Sequence, residues 1–254
     1  MILDYNNAII DYIKTHRIEN DFIGFRLCEK DFTDCQDIIL GINPSNAIKG
    51  LLQKEFQRQI QLDLPDFYSK VNNTQEAFNS YLSFSNFDAN RSTICALEKM
   101  AHHFHPHFKK HSQFAAYLNL GSSYLFMDLF PIWEKDQHIL LQKLNNRPEL
   151  LNFLVDSFLN LLATQSIRRL FFFNFGAYEL FAKSIEHSKN ATLTKIQVKK
   201  IKIQSRKSAF YMRRAELKLR DNKVIQVNVF GIGAHSISKE ALRELANAYQ
   251  QTKF

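Results

Sequence analysis

Four strand-like apolar segments, spread along the whole chain, set the strongest limit on what this sequence can fold into. Three are continuous: Asp37-Ile38-Ile39-Leu40-Gly41-Ile42, Ser122-Ser123-Tyr124-Leu125-Phe126-Met127-Asp128-Leu129 and Leu170-Phe171-Phe172-Phe173-Asn174. A run apolar at every position is a strand covered on both faces, which belongs in a parallel sheet. The fourth alternates through Ile225, Val227 and Val229 and ends at Phe230-Gly231-Ile232-Gly233. It is the second arm of a hairpin whose first arm places Ala215, Leu217 and Leu219 between Glu216, Lys218 and Arg220, with Asp221-Asn222 as the turn.

Helical spacing recurs between these segments, over residues 2–16, 74–83, 91–104, 134–146, 148–164, 176–188 and 239–250. Pro148 suits a first helical turn, and Ser238 suits an N-cap. Phe22-Ile23-Gly24-Phe25 reads as a short extended segment, and 48–72 leaves helix and loop both open. Strands separated by helices predict an α/β fold. It is a three-layer α/β/α arrangement with a central, mostly parallel four-stranded sheet plus a basic β-hairpin. A chain of 254 residues, 45% hydrophobic, suits one domain over 1–254, with 1–35 as a helical lead-in.

Several classes are disfavoured. No apolar run has membrane-spanning length, and Met1-Ile2-Leu3-Asp4-Tyr5 lacks the basic-then-apolar order of a signal peptide. The three cysteines, Cys28, Cys35 and Cys95, are odd in number and show no CxxC spacing, against a disulfide framework or zinc site. A cytoplasmic protein is expected, with no metal, no cofactor and no membrane partner; the oligomeric state is not readable. His102, His103, His105, His107 and His111 cluster, but Pro106 separates the i, i+4 pair His103 and His107, and the group reads as a polar surface turn. Gly231-Ile232-Gly233-Ala234-His235-Ser236 begins like a dinucleotide fingerprint but follows the last strand and has Ser236 for the third glycine. Neither a GxxxxGK[ST] loop nor a GxSxG elbow occurs.

The net charge of +8 is concentrated. Eleven Lys and Arg lie between Lys195 and Lys223, opposed only by Glu216 and Asp221. One basic strip on a nearly neutral body suits a polyanion, and Phe210-Tyr211 inside it suits unpaired bases. Lysines that protect an exposed strand edge would give the same pattern.

Gly41, Gly176, Gly231 and Gly233 fall at or just after strand ends. Ligands of parallel sheets bind beyond the carboxyl ends of the strands. Asn43, Asp128, Asn174 and His235, each ending or following a different strand, therefore define a candidate pocket.

These strand ends carry a resemblance. Gly41-Ile42-Asn43-Pro44-Ser45 resembles the first motif of the uracil-DNA glycosylase superfamily, especially its mismatch-specific branch. Gly233-Ala234-His235-Ser236-Ile237-Ser238 stands where that superfamily has its second motif. Phe126-Met127-Asp128-Leu129 looks like its base-reading strand, and Phe173-Asn174-Phe175-Gly176-Ala177 like its third strand with the following helix. By order and spacing the resemblance covers about 36–250. It implies hydrolysis of the N-glycosidic bond of a damaged or mismatched base flipped out of DNA. Asn43 would position the attacking water, and His235 would hydrogen-bond the departing base. Gly41, Ile42, Pro44, Ser45, Phe56, Asp128, Asn174 and Ser236 would contact the substrate, with Phe56 stacking on the base. Lys199, Lys200, Arg206, Lys207, Arg213 and Arg214 would hold phosphates. Ser236 replaces the family's proline, and Asp128 stands where uracil readers carry asparagine. An ionised carboxylate only accepts hydrogen bonds, so Asp128 suits a base presenting an amine. Two other readings remain: a non-catalytic nucleic-acid-binding protein of the same fold, and an enzyme for a free nucleotide or other small anion.

Overall fold

The computed structural model describes residues 2–21, 24–25, 35–42, 54–71, 89–93, 96–97, 100, 106–121, 124–134, 136–205, 209–231 and 237–252. In chain order the elements are α1 (Ile2–Thr15), β1 (Gly24–Phe25), β2 (Asp37–Gly41), α2 (Lys54–Asp63), α3 (Pro65–Val71), α4 (Pro106–Tyr117), β3 (Tyr124–Asp128), β4 (Ile132–Trp133), α5 (Gln137–Asn145), α6 (Pro148–Thr164), β5 (Arg169–Phe172), α7 (Phe175–His187), β6 (Ala191–Ile201), β7 (Phe210–Leu219), β8 (Val224–Phe230) and α8 (Lys239–Gln251). They fall into two compact units. One comprises Met1–Glu29, Asn43–Lys109 and Phe130–Leu140; the other Lys30–Ile42, Lys110–Leu129 and Leu141–Phe254.

In the first unit, α1 buries Tyr5, Ile9, Ile10 and Ile13, the stripe that helical spacing predicts. β1 pairs antiparallel with β4. The ambiguous 48–72 stretch resolves into α2 and α3, and Gln57 Nε2 donates to Tyr68 Oη at 3.2 Å between them.

The second unit holds a six-stranded sheet in the order β3-β2-β5-β8-β7-β6. The four core strands read from the sequence are β2, β3, β5 and β8, and they are mutually parallel. The expected sheet of four strands with an attached hairpin needs correction, because β7 and β6 continue the same sheet as antiparallel strands. The hairpin itself is β7–β8, and Asn222 at its turn has a φ of 67°. Asparagine tolerates that left-handed conformation better than most residues. β6 was not foreseen, although Thr192, Thr194, Ile196, Val198 and Ile201 supply the β-branched residues of a strand.

Both faces of the sheet are covered by aromatic contacts. On one face, Phe114 of α4 meets Phe171, Phe173 and Phe230 edge-on, with ring centroids 4.8–6.2 Å apart, and Tyr249 of α8 meets Phe171 and Phe230. On the other, Phe172 meets Tyr178 and Phe181 of α7, and Phe181 meets Phe158 of α6. Successive residues of β5 thus point to opposite helix layers, as strand geometry requires. Lys223, beside the hairpin turn, closes the end of α6 by donating to Leu162 O at 2.7 Å and to Gln165 O. Burial lowers the pKa of this ammonium. Among the described residues no helix is long and apolar enough to cross a membrane.

At the amino ends of the two central strands, Asp37 and Arg169 face each other in register. Arg169 Nε and Nη2 donate to the two carboxylate oxygens at 2.5 and 2.7 Å. The Asp37 side chain is 2% exposed, and the Arg169 side chain 37%. The hydrogen bond to Asp37 raises the Arg169 pKa, with burial opposing it. Removing the guanidinium leaves a buried, unpaired carboxylate. Arg169→Met is therefore expected to lower unfolding stability in urea by about 3 kcal/mol. A loss within experimental error would show that this pair does not hold the strands.

Candidate functional site at the carboxyl edge of the sheet

The chain enters the sheet at β2, places β3 on one side and then crosses to place β5 on the other. The point where strand order reverses leaves a crevice beyond the carboxyl ends of the flanking strands. Here those strands are β2 and β5.

Gly41 and Asp128 end β2 and β3 as register partners. Leu129 N donates to Gly41 O at 3.1 Å, which extends the pairing one step past the strands. Gly41 is required by close approach. A Cβ there would collide with Asp128 Oδ1 and lie 3.1 Å from Phe126 Cζ. The half-buried Asp128 carboxylate thus folds over the missing side chain of its neighbour. Ile42 is buried at the last described position before Asn43-Pro44.

Beyond β5, Asn174 caps α7, with its Oδ1 accepting from Ala177 N at 2.9 Å. That oxygen is committed to the helix, so the Nδ2 amide, a pure donor, is what Asn174 can offer a ligand. Gly176 fits between Leu141 Cδ1 and Asn174 Oδ1, which a Cβ would approach to 3.1 and 3.4 Å. Next to β8's end, Gly231 N donates to Tyr211 O at 3.0 Å.

Asn43, Pro44, Ser45, His235, Ser236, Arg206 and Lys207 lie outside the described residues, as do His102, His103 and His105. Phe56 belongs to α2, and its side chain lies outside the description. Of the pocket expected from the sequence, the described residues bring Gly41, Ile42, Asp128 and Asn174 to one edge of the sheet.

One histidine departs from the sequence reading. The sequence groups His111 in a surface turn, yet it sits in α4 and is 2% exposed. Its ring lies 4.7 Å from that of Phe126 and 5.4 Å from that of Phe173. It therefore occupies the same face of the sheet as Asp128, two residues beyond Phe126. The missed signal was helical: Phe108, His111, Ala115 and Leu118 are spaced as one buried stripe, and Pro106 starts the helix instead of breaking it. Among the described residues, no group of three or more His, Cys, Asp or Glu is placed to hold a metal ion.

The basic strip divides between the two faces of β6–β7. Register pairs share a face, and Lys200 pairs with Tyr211 while Val198 pairs with Arg213. Lys200 and Arg213 therefore belong to the α7 face, and Lys199 and Arg214 to the α8 face. Contacts agree. The Arg213 guanidinium lies 4.3 Å from the Phe175 ring centre, at the first residue of α7. The Arg214 guanidinium lies 5.3 Å from the Tyr249 ring in α8, and its Nε donates to Asn228 Oδ1 at 3.3 Å. Burial raises the Tyr178 and Tyr249 pKa values, opposed by Arg213 for the first and by Arg214 and Arg169 for the second. Lys195 pairs with Glu216 at 3.0 Å on the surface. Lys200, Lys202, Lys218 and Arg220 are exposed.

Gly41→Ala forces Asp128 to move and is expected to cost about 2 kcal/mol in urea unfolding, as overpacking does. Adding Asp128→Ala should recover part of that loss, giving a coupling of about 1 kcal/mol in a double-mutant cycle. Additive effects would show that the two residues do not touch.

Comparison of the chain with protein-family models, with curated proteins and with solved structures finds no match.

Proposed function

We propose that the chain binds DNA and hydrolyses the N-glycosidic bond of a flipped base, as a DNA glycosylase-like protein. One observation carries the proposal. Parallel strands end together at a topological switch point, with the strand leading into Asn43-Pro44-Ser45 in register against the strand ending at Asp128. The strand leading towards His235 runs parallel one position beyond β5. Neighbouring strands lie about 4.8 Å apart, so the ends of β2 and β8 stand roughly 10 Å apart, a span that suits a planar base with a polar group on either side.

In this reading Asn43 orients a water towards C1′ of the sugar. The C1′–N bond breaks, the water oxygen bonds to C1′, and its proton goes to solvent or base. His235 donates a hydrogen bond to the base oxygen as negative charge develops there. Asp128, as a carboxylate, accepts from a base edge presenting N–H groups, and Asn174 adds a donor. Of the six cations expected to hold phosphates, Lys200 and Arg213 share the α7 face and, with Arg206 and Lys207, are the proposed contacts, whereas Lys199 and Arg214 stand on the opposite face.

The second reading is nucleic-acid binding without catalysis. Asn43→Ala separates the two. Oligonucleotides carrying uracil, hypoxanthine or a mismatch are incubated with the protein, and abasic sites are read by alkaline strand cleavage. Base release from at least one substrate is expected, falling about 100-fold in Asn43→Ala and in His235→Ala. If no substrate yields abasic product while oligonucleotides still bind, catalysis is refuted and the binding reading stands.

A further inference from the structure

The α7 face of the sheet corner formed by β6 and β7 has no described cover. α7 starts at Phe175, beside Arg213, and the strands continue past it. There Tyr211 is 55% exposed and Val198 54% exposed, with the exposed Lys200 paired to Tyr211. Phe210, its neighbour in sequence, is buried, so of the aromatic pair in the basic strip only Tyr211 faces outward. Beside it, Arg213 and Phe175 form a stacked pair, and Arg213 Nε is buried with no hydrogen-bond partner. Tyr211 and Arg213 are two residues apart on one strand, so both rise from the same face, about 7 Å apart.

We propose that this corner is a stacking platform for an unpaired nucleic-acid strand. Tyr211 takes a base on its ring, the half-buried Arg213–Phe175 pair borders it, and Lys200 meets the backbone phosphates. The proposal deepens the nucleic-acid reading given above and rests on it. The chemistry selects this occupant over two others. A second copy of the chain would set one lysine-rich edge against another. An acidic peptide would satisfy the lysines but leave the exposed tyrosine and the Arg–Phe pair without a planar partner. Bases combine a flat ring with a regularly spaced negative charge, which is what aromatic side chains among cations bind. A duplex hides its base faces and offers Tyr211 nothing to stack on.

The test uses the full chain and a fluorescent oligodeoxythymidine of about 12 nucleotides, free or annealed to its complement, read by anisotropy. The free strand is expected to bind at least about tenfold tighter than the duplex. Tyr211→Ala should weaken free-strand binding about tenfold and leave duplex binding unchanged, while Tyr211→Phe should keep the affinity. Lys200→Glu should lower the slope of log affinity against log salt by one or more. Equal binding of both forms, a Tyr211→Ala protein as tight as the parent, or polyglutamate competing as well as the oligonucleotide would overturn the platform. If Tyr211→Ala alters the unfolding midpoint, Tyr211→Phe and Lys200→Glu decide the question together. Base release that persists without strand preference would sink the platform alone. Absence of any nucleic-acid binding would sink both readings.

Discussion

The register between β2 and β5 decides what stands at the carboxyl edge of the sheet, and an ion pair with a buried carboxylate helps to set it. Asp37 and Arg169 meet as strand partners and form two parallel hydrogen bonds. A slip of one residue would separate the two charges and turn every side chain of β5 to the opposite helix layer. Phe171 would exchange places with Phe172, and the aromatic contacts of both layers would be lost. The pair lies at the amino end of the strands. It therefore acts on the carboxyl edge through the rigid pleat, about five residues away, without touching a ligand. A buried ion pair adds little net stability compared with apolar residues of similar size, but unpaired it is costly, which makes it a device for specifying register.

With that register in place, the carboxyl edge follows from the order of small and charged residues. β2 ends in glycine opposite the aspartate that ends β3, and the carboxylate leans into the space a side chain would fill. β5 ends in an asparagine spent on capping the next helix. The fold and the site thus share residues. Asn174 caps α7 at the carboxyl end of β5, and Gly41 admits Asp128 and precedes Asn43-Pro44 by one residue.

Three of the parallel strands were legible because continuous apolar runs have one physical meaning in an α/β chain, burial on both faces, and the fourth because it alternates as the second arm of a hairpin. The Ser238 cap was legible for a similar reason: its Oγ accepts from Ala241 N at 3.1 Å, as a serine before a helical stripe should. Two elements were not legible, for different reasons. α4 begins with Pro106, which reads as an interruption if the helix is assumed to precede it and as a first-turn residue if the helix follows. That choice sent His111 to the surface. β6 is exposed along most of its length, so its alternating β-branched residues, Thr192, Thr194, Ile196 and Val198, form no buried apolar face to mark it. Its pairing with β7 is a tertiary fact, carried by backbone hydrogen bonds that leave no side-chain pattern. Gly41, Ile42, Asp128 and Asn174 read from the sequence as standing at or near strand ends, and the structure puts them there. The sequence could not show that the basic strip would split between two faces, because alternation becomes a division only once β6 and β7 are paired.

That split changes what the positive charge can do. A long edge strand with open backbone groups invites pairing with other chains, and lysines, bulges and irregular conformations are the usual protection. β6 shows all three: lysines along its length, a register shift between Thr194 and Gln197, and Lys195 in a left-handed conformation. Protection of the edge needs only charge at the rim. It does not call for a tyrosine held out into solvent beside an arginine laid on a phenylalanine ring. Arg214, on the opposite face, is tied to Asn228 and Tyr249 and so contributes to packing. Arg213 has an aromatic support and no acceptor for its Nε. Two adjacent arginines of the same charge therefore differ in their partners because strand alternation sends one to the α8 layer and the other to the α7 layer, over Phe175. The surroundings of each cation in the strip are thus set by its face, not by the total charge.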